Sequence, residues 1–451
     1  MEKTTIGFYL FTILCAMQQH RLKKLTLRTI GCRLNQYETE KMAADLYQLG
    51  FRRAREGETA DLFIINTCTV THRADSSSRN IISRAIKENP NARIVVAGCY
   101  VDREPERIAG IEGVDALVPN AEKLRIREIL SKRFPDLFAT EAAVHDSRTI
   151  ADFVDYNRAW LKISDGCNQR CAFCVLPSVR GTLGNRPAAE IIEEINGLID
   201  RGFNEVVLTG LNIGYYRDCE TRPQVESLAH LCRMILRKTN LKRLRISSIE
   251  PQTLRDELVG LYSESTDRIC RHFHTALQSG SSRILRLMRR PYNRDDYIRF
   301  ITAIKKAVPE TVIGADVIVG FPGETEQDFQ ETQQVAKSGL IDYLHVFSYS
   351  NRPGTPACEL PDRIGPDVIK ERNAVLSRIS NELRSESHRR QVGRTLGVIA
   401  ERKQKGKGFF WGISDNYVRV KLPSHYPGGR QIVKVRISSA CDEYVEGDIV
   451  D

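Results

Sequence analysis

The chain has 451 residues, of which 41% are hydrophobic and 27% are charged, which excludes a disordered chain and fits a globular protein of about three domains. Its formal net charge of +10 is compatible with a polyanionic partner. A secreted disulfide scaffold is short and cysteine-dense, whereas the 12 cysteines of this chain are sparse and uneven. Metal ligation or redox chemistry is therefore the better interpretation of the cysteines.

An apolar run of 12 residues (IGFYLFTILCAM, 6–17) stands near the start and is too short to span a membrane. One Lys beside one Glu precedes it, which does not match the charged start of a signal peptide. We therefore expect residues 1–23 to be a disordered or mis-assigned extension, with Met17 as an alternative start. Nothing later is predicted to span a membrane, and we expect a cytoplasmic protein without a membrane partner.

From Lys24 the sequence alternates between strand and helix patterns. This alternation predicts an α/β fold with a doubly wound parallel sheet, in a domain at 24–135 that is followed by a linker at 136–157. The predicted strands are 24–30, 61–66, 93–97 and 114–118, and the predicted helices are 35–49 and 75–88.

A second alternating series predicts a (β/α)6 partial barrel at 158–386, with its site at the carboxyl ends of the strands. The predicted strands are 159–163, 205–208, 243–247, 271–276, 312–319 and 343–347, and helices are predicted at 188–199 and 326–338, among others.

The last part of the chain changes character. A long polar helix is predicted at 366–391, and short strands at 396–400, 417–421 and 432–437 follow it, interrupted by Gly and Pro. This pattern predicts a small antiparallel β-barrel at 387–451.

The sharpest motif is a C-x3-C-x2-C triplet just after a predicted strand, formed by Cys167, Cys171 and Cys174. Three neighbouring thiolates can bind a [4Fe–4S] cluster and leave one iron open, where the amino and carboxylate groups of S-adenosylmethionine can chelate. Zinc is the alternative, but it requires a fourth ligand and usually paired C-x2-C units, which no nearby residue supplies.

A second trio, Cys32, Cys68 and Cys99, is dispersed in sequence, but each member follows a strand of the first predicted sheet. Carboxyl ends of parallel strands share one edge, so we expect the three thiolates to converge there and to hold a second cluster. The alternative is buried structural cysteine, although the Gly and Asn-Thr residues before them indicate tight turns. His272 and His274 alternate along one strand, and we expect them to line the barrel rather than to bind metal. The remaining cysteines (Cys15, Cys219, Cys232, Cys270, Cys358 and Cys441) show no ligand spacing.

Positive charge concentrates near the predicted terminal barrel, where residues 370–410 hold 11 Lys+Arg against 4 Asp+Glu. Cations beside aromatic rings are typical of RNA-binding surfaces, although a solvated charged helix is the alternative for 370–384. The candidate RNA-binding residues are Arg389, Arg390, Arg394, Arg402, Lys403, Lys405 and Lys407, next to Phe409, Phe410 and Trp411. A second basic run near the barrel mouth comprises Arg283, Arg286, Arg289, Arg290 and Arg294.

With these motifs the sequence resembles the methylthiotransferase family of radical S-adenosylmethionine enzymes over nearly its whole length from Lys24. NQYETE and RISSIEP are similar to the bacterial branch that acts on N6-threonylcarbamoyladenosine in tRNA, the MtaB type. The segments that carry the resemblance, besides the triplet with its aromatic Phe173, are GCRLNQYETE (31–40), NTCTVT (66–71), AGCY (97–100), LTGLNIG (208–214), RISSIEP (245–251), LQSGS (277–281), DVIVGFPGET (316–325) and FSYSNRPGTPA (347–357).

The resemblance implies two [4Fe–4S] clusters and S-adenosyl-L-methionine as cofactors. Cys167, Cys171 and Cys174 would hold the cluster that cleaves S-adenosylmethionine to a radical, and the second trio an auxiliary cluster that carries the sulfur. The product would be a methylthio group at C2 of the modified adenosine on the 3′ side of the anticodon. The terminal barrel would be an RNA-binding TRAM domain, with tRNA and an electron donor such as flavodoxin or ferredoxin as partners.

Candidate cofactor contacts come from the ends of the predicted barrel strands, where polar groups and glycines allow a nucleoside to approach the backbone. Ordinary turn and capping roles are the alternative for each of them. They are Phe173, Gly210, Asn212, Ser247, Ser248, Gln278, Gly320 and Gly323.

Two other functions remain open at this point. The same chemistry could act on isopentenyladenosine in tRNA or on a ribosomal protein. A non-catalytic RNA-binding iron–sulfur protein that senses redox state is the alternative from another class, but six cluster-type cysteines argue against sensing alone.

Overall fold

The computed structural model describes residues 22–138, 153, 156–220, 224–264, 267–401, 408–423, 426 and 428–450. The chain divides into two units, the first containing the described residues 22–69 and 73–138 and the second containing 70–72 and those from 153 onward. Most of the extension expected at 1–23 and of the linker expected at 136–157 lies outside the described residues. The predicted domain boundaries stay predictions.

The first unit contains five parallel strands in the order β2-β1-β3-β4-β5. Helices cover both faces, so β3 is buried along its whole length, with Leu62 and Ile64 in one core cluster and Phe63 and Ile65 in the other. The doubly wound sheet is therefore confirmed. Its strands are β1 (Lys23–Thr29), β2 (Phe51–Arg53), β3 (Leu62–Thr67), β4 (Arg93–Gly98) and β5 (Ala116–Val118), and its helices are α1 (Arg33–Tyr47), α2 (His72–Glu88), α3 (Cys99–Arg103), α4 (Pro105–Ala109), α5 (Ile126–Arg133) and α6 (Pro135–Phe138).

The second unit begins with six parallel strands arranged as two three-stranded sheets, β10-β9-β6 and β11-β12-β13. A parallel bridge between Leu244 and Ile269 joins the two sheets, which confirms the partial barrel. The strands are β6 (Ala159–Lys162), β9 (Glu205–Thr209), β10 (Arg243–Ile246), β11 (His272–Gln278), β12 (Val312–Val319) and β13 (Tyr343–Ser348), with β7 (Ser164–Asp165) and β8 (Gly184–Asn185) as a short antiparallel pair. The helices are α7 (Leu176–Arg180), α8 (Ala188–Asp200), α9 (Leu228–Lys238), α10 (Asp256–Glu264), α11 (Ser282–Leu287), α12 (Arg294–Ala307) and α13 (Glu326–Ala336).

Hydrogen bonds join the LQSGS segment (277–281) at the end of β11 to helix α13, which follows the DVIVGFPGET segment (316–325) of β12. Asp328, in a capping box with Thr325 at the start of α13, also accepts a hydrogen bond from Ser281 at 2.6 Å. The Gly280 N–H donates to Thr332 at 2.9 Å, and a Cβ at Gly280 would lie 2.5 Å from the Thr332 Cα atom. The glycine is therefore required for the loop after β11 to pack against α13.

The chain ends in a closed barrel with strand order β14-β15-β16-β18-β17, which follows the long helix α14 (Pro366–Arg389). Alternate residues, among them Val398, Val420 and Val435, fill its core. The sequence predicts the small barrel, but it predicts only three of its strands and misses β15 and β18. The strands are β14 (Thr395–Ala400), β15 (Phe410–Ser414), β16 (Arg419–Leu422), β17 (Ile432–Ala440) and β18 (Val445–Val450).

Buried arginines of the central barrel contact this terminal barrel. Arg243 and Arg245 both pair with the fully buried Glu205, and Arg243 also donates to the carbonyl of Gly397 at 2.7 Å. Although burial opposes ionisation, the neighbouring arginines hold the pKa of Glu205 well below its usual range. The two barrels therefore share a charged, hydrogen-bonded contact.

No helix in the part of the chain that the structure describes is long and apolar enough to cross a membrane.

Candidate active site

The trio of Cys32, Cys68 and Cys99 lies at the carboxyl edge of the first sheet. Cys32 follows β1 and caps α1, Cys68 follows β3, and Cys99 begins α3 directly after β4. The chain runs from β1 to β2 on one side and then crosses from β2 to β3 on the other side of β1, so the position between β1 and β3 is the topological switch point, where open α/β sheets bind ligands. The three cysteines therefore follow three neighbouring strands, and the convergence of their thiolates stays a prediction.

The turns around this trio are tight. Gly31 has a φ of +107°, and a Cβ there would lie 2.7 Å from the Cys68 Cβ and 3.0 Å from its Sγ. Asn35 donates to the carbonyls of Ile30 at 2.8 Å and Thr67 at 3.0 Å, which joins the turn after β1 to the end of β3. Glycine is therefore needed next to Cys32 because the loop carrying Cys68 occupies the space of a side chain.

The triplet of Cys167, Cys171 and Cys174 lies on the loop after β6 and β7. The N–H of Cys167 donates to the Gly181 carbonyl at 3.1 Å, and the N–H of Ala172 donates to the Met288 carbonyl at 3.0 Å, so both ends of the loop are fixed. Asn212, at the end of β9, places its Nδ2 atom 3.6 Å from the Cys167 Sγ. Burial raises the pKa of the Cys174 thiol to about 12, so ligand binding there would release a proton.

Arg290 lies beside Cys171, although its position among other arginines in the sequence predicts an RNA-binding role. Its side chain is buried, forms an ion pair with Glu250, and donates to the Cys171 Sγ at 3.0 Å. Burial disfavours the charge, but Tyr292, Glu250 and Cys171 together raise the pKa of Arg290 above its usual value. The Arg290 guanidinium therefore provides a fixed positive charge beside the Cys171 thiol rather than a phosphate contact on the protein surface.

The chemistry of both trios fits iron–sulfur clusters better than single ions. A zinc ion at about 2.3 Å from each sulfur holds its sulfurs about 3.8 Å apart. Among the described residues, neither trio brings its three sulfur atoms as close together as a single ion requires. Among the described residues, the Oδ1 of Asn212, whose Nδ2 lies beside Cys167, and the Oγ of Ser164 are buried without a hydrogen-bond partner, which suits a polar ligand here.

Comparison with known proteins identifies this arrangement. Residues 24–119 match the family described as "Uncharacterized protein family UPF0004", and residues 161–336 match the radical SAM superfamily. Threonylcarbamoyladenosine tRNA methylthiotransferase MtaB of Bacillus subtilis (strain 168) is 37% identical over 436 residues, covering 94% of this chain and 96% of that protein. The chain belongs to the radical S-adenosylmethionine methylthiotransferase family.

Other relatives agree with this membership. The MtaB protein of Aquifex aeolicus (strain VF5) is 34% identical over 423 residues, covering 92% of this chain and 100% of that protein. A tRNA-2-methylthio-N(6)-dimethylallyladenosine synthase of Acidothermus cellulolyticus is 33% identical over 393 residues, covering 84% of this chain and 78% of that protein. The structure of the radical S-adenosylmethionine methyltransferase TsrM from Kitasatospora setae shares the fold, with a TM-score of 0.54 at 16% identity and 74% coverage of both chains. Methylthiotransferases of this family use S-adenosyl-L-methionine and [4Fe–4S] clusters.

The expected cofactor contacts of the methylthiotransferase divide into two groups in the structure. Asn212 is buried beside Cys167, and Gly210 packs where a Cβ would lie 2.4 Å from the Ser164 Oγ. Gln278, at the end of β11, adopts a left-handed backbone with a φ of +63°. These three remain candidate contacts.

Other expected contacts have structural explanations. A Cβ at Gly320 would lie 2.4 Å from Ile369 of α14, so helix packing accounts for this glycine. The Gly323 N–H donates to the Asp362 carbonyl at 2.9 Å. Phe173 packs edge-on against Phe321 in a hydrophobic cluster. Ser247 is partly exposed and Ser248 is exposed at the end of β10.

The expected RNA-binding residues of the methylthiotransferase are only partly described. Arg402, Lys403, Lys405 and Lys407 lie outside the described residues, so their role stays a prediction. Arg389 donates to the Ser385 hydroxyl at 3.0 Å, and Arg390 pairs with the buried carboxylate of Asp342. Phe410 packs against the core of the terminal barrel, and its ring centroid lies 5.5 Å from that of Tyr426.

Aromatic and cationic side chains gather on the outer face of the terminal barrel instead. The Arg419 guanidinium lies 3.9 Å from the centroid of the Trp411 ring, and Lys421 lies 5.3 Å from that of Phe409 and 5.7 Å from that of Tyr444. Sequence reasoning found Phe409 and Trp411 but neither Tyr444 nor the cationic partners, because β16 pairs with β15 only in the folded barrel. We call this group the terminal-barrel patch: Phe409, Trp411, Arg419, Lys421 and Tyr444.

Proposed function

We propose that the protein is a tRNA methylthiotransferase that inserts a methylthio group at C2 of N6-threonylcarbamoyladenosine on the 3′ side of the anticodon. The observation that carries the proposal is the pair of cysteine trios, each at the carboxyl end of a parallel β-structure. Its relatives support the substrate branch, because the MtaB protein of Bacillus subtilis is 37% identical to this chain, whereas the dimethylallyladenosine synthase of Acidothermus cellulolyticus is 33% identical.

The difficulty of the reaction explains why two cysteine trios are needed. An adenine C2–H bond has no acidic proton or electrophilic carbonyl for ordinary side chains to attack, so cofactor chemistry must perform the difficult step. When bound, the cluster and S-adenosylmethionine supply a carbon radical and the auxiliary cluster supplies the sulfur. We assign Cys167, Cys171 and Cys174 to the first cluster and Cys32, Cys68 and Cys99 to the second.

Other side chains of the second unit orient the cofactor, hold the Cys171 thiol in place and offer a surface for RNA. Asn212 and Ser164 offer buried polar atoms beside Cys167, where the polar end of S-adenosylmethionine would be held. The buried guanidinium of Arg290, which is paired with Glu250, fixes the position of the Cys171 side chain. The terminal-barrel patch provides stacking surfaces and cations suited to single-stranded RNA of the anticodon loop.

The proposal extends to partners and location. Reductive cleavage of S-adenosylmethionine consumes an electron, and we propose a flavodoxin or a ferredoxin as its donor. Because tRNA is the proposed substrate, we place the enzyme in the cytoplasm.

The decisive experiment is nucleoside mass spectrometry of tRNA from a deletion strain. We expect the strain to lose 2-methylthio-N6-threonylcarbamoyladenosine, to accumulate the unmethylthiolated nucleoside, and to recover with the wild-type gene but not with Cys167→Ala or Cys68→Ala. Cys219→Ala is the matched control, because Cys219 is exposed and belongs to neither trio.

Two outcomes would redirect the assignment. Loss of the 2-methylthio derivative of isopentenyladenosine, with the threonylcarbamoyl derivative unchanged, would select the other tRNA branch. Recovery by the Cys68→Ala gene would remove the auxiliary cluster and the sulfur-insertion chemistry.

A further inference from the structure

A group of metal-ligand side chains lies on the barrel strands, apart from both cysteine trios. His274 is on β11, Asp316 on β12 and His345 on β13, the three neighbouring strands of one sheet. Asp316 follows His274 by 42 residues and His345 follows Asp316 by 29, so only the fold brings the three residues together.

Strand register places the three side chains on one face. Asp316 pairs directly with His345 in the β12–β13 ladder. His274 pairs with Gly314, two residues before Asp316, and residues two apart on a strand point the same way. The absence of a side chain at Gly314 makes room for the ring of Tyr343, since a Cβ there would lie 2.2 Å from its Cζ atom.

The ligand atoms converge at a spacing that suits one metal ion. The Nε2 of His274 lies 3.1 Å from the Oδ1 of Asp316, and the Nδ1 of His345 lies 3.4 Å from the same oxygen. The three ligand atoms all lie within 4.8 Å of one another. Ligands at about 2.1 Å from a tetrahedral ion are spaced about 3.4 Å apart, so small side-chain adjustments would bring all three into coordination.

Two of the three side chains are mostly shielded from solvent and the third is more accessible. His272 donates to or accepts from the Tyr343 hydroxyl at 2.9 Å and stacks on Tyr417, forming an aromatic layer beside the group. The side chain of His274 is 15% exposed and that of Asp316 24%, whereas that of His345 is 46% exposed. An ion could therefore reach the group from the His345 side.

We propose that His274, Asp316 and His345 bind a divalent transition-metal ion within the barrel, as a third inorganic site separate from the cysteine trios. Two imidazoles and one carboxylate leave coordination positions open, which water or a substrate oxygen could fill. Nitrogen and oxygen ligands favour ions such as Fe²⁺, Co²⁺ or Zn²⁺, whereas the thiolates of the trios favour iron–sulfur clusters. The expectation that His274 only lines the barrel is thereby revised, since Asp316 and His345 join it in the fold.

The test measures metal binding rather than activity, so it is independent of the proposed tRNA reaction. Holoprotein with both clusters assembled is equilibrated with Co²⁺ without oxygen, and bound cobalt per chain is measured by plasma mass spectrometry. We expect the wild type to bind one Co²⁺ more than His345→Phe and Asp316→Asn. X-ray absorption of that cobalt should show nitrogen and oxygen ligands, including imidazole, at about 2.0–2.1 Å.

His345→Phe is the primary variant because its half-exposed side chain can be replaced without creating a cavity. His230→Asn, on the outer helix α9, is the matched control and should bind as much cobalt as the wild type. Equal cobalt in the wild type and His345→Phe, or sulfur ligation of the bound ion, would overturn the proposal. In that case the three residues form only a His–Asp–His group of close polar contacts.

Discussion

The fully buried guanidinium of Arg245 donates to the backbone carbonyl of Ser414 at 2.8 Å, joining the central barrel to the last residue of β15 in the terminal barrel. The same side chain donates to the Glu205 carboxylate at 2.8 Å and to the Asp415 carbonyl at 3.1 Å. A single arginine therefore satisfies a buried acid on one barrel and two backbone acceptors on the other.

We expect Arg245→Met to lower the free energy of unfolding by about 3–5 kcal/mol, because it leaves Glu205 with fewer partners and removes one donor from each of two backbone carbonyls. Urea unfolding measures the loss, and amide hydrogen exchange of β15 locates it in the contact between the barrels. Arg299→Ala is the control, since its ion pair with Asp296 is exposed and should contribute less than about 1 kcal/mol. Equal effects of the two substitutions would contradict a structural role for the contact.

Gly31→Ala should prevent assembly of the auxiliary cluster, because the new Cβ would lie 2.7 Å from the Cys68 Cβ at a φ of +107°. We expect reconstituted protein to fall from about eight irons per chain to about four, with the remaining cluster unchanged in its spectrum. Gly57→Ala is the matched control, since Gly57 also has a positive φ of +84° but no atom within 4 Å of a new Cβ. Full iron content in Gly31→Ala would exclude this turn from the cluster site.

His388 should make the second unit less stable at mildly acidic pH. Burial lowers the pKa of His388 below its ordinary value of 6.5, with Arg384 lowering it further while Asp442 and the carbonyl of Cys441 oppose the shift. The unfolded chain therefore binds a proton near pH 6.5 that the folded chain takes only at lower pH, so stability falls as the pH drops through 6.5. His388→Asn keeps a donor for the Cys441 carbonyl, and its unfolding free energy should fall less between pH 8 and 5 than that of the wild type, as urea titrations at each pH would measure. Parallel pH curves for both proteins would refute the assignment.

The terminal-barrel patch should contribute to tRNA affinity by two separable effects. Trp411→Ala removes a stacking surface and should weaken binding by about 1–3 kcal/mol with little change in salt dependence. Arg419→Gln should reduce the slope of log affinity against log salt by roughly 0.7–0.9, the effect of one lost phosphate contact. Binding titrations over a salt series measure both, with Arg237→Ala on α9 as a control for loss of one exposed charge. If neither variant differs from that control, the patch is not the RNA surface.

Regular periodicity predicted most of the fold, as β12 illustrates, where the expected strand and the observed strand are both Val312–Val319. The strand β18 was missed because Gly447 and two acids interrupt its apolar residues. It forms a strand because closing the terminal barrel pairs it with both β16 and β17. Propensity within a segment carries no information about such long-range pairing.

The residues of the site differ in the same way: some can be proposed from the local sequence, whereas others depend on contacts that only the fold makes. Ligand spacing and strand ends are visible in sequence, so six cysteines could be proposed as cluster ligands, and that role stays a prediction. Arg290 was assigned to a basic run because its neighbours are arginines, and only the fold buries it against Glu250 and Cys171. The His274, Asp316 and His345 group likewise depends on strand register, which sequence alone does not give.

The arginine contact between the barrels affects how a bound nucleic acid would reach the reaction centre. Four backbone carbonyls of the terminal barrel accept hydrogen bonds from Arg243 and Arg245. The terminal barrel is therefore held in a fixed position against the central barrel rather than joined to it by a flexible linker alone. For an RNA held by it, the effective concentration at the central barrel is set by one fixed geometry rather than by the length of a linker. An enzyme built in this way would select its substrates partly by the distance between two points on the RNA.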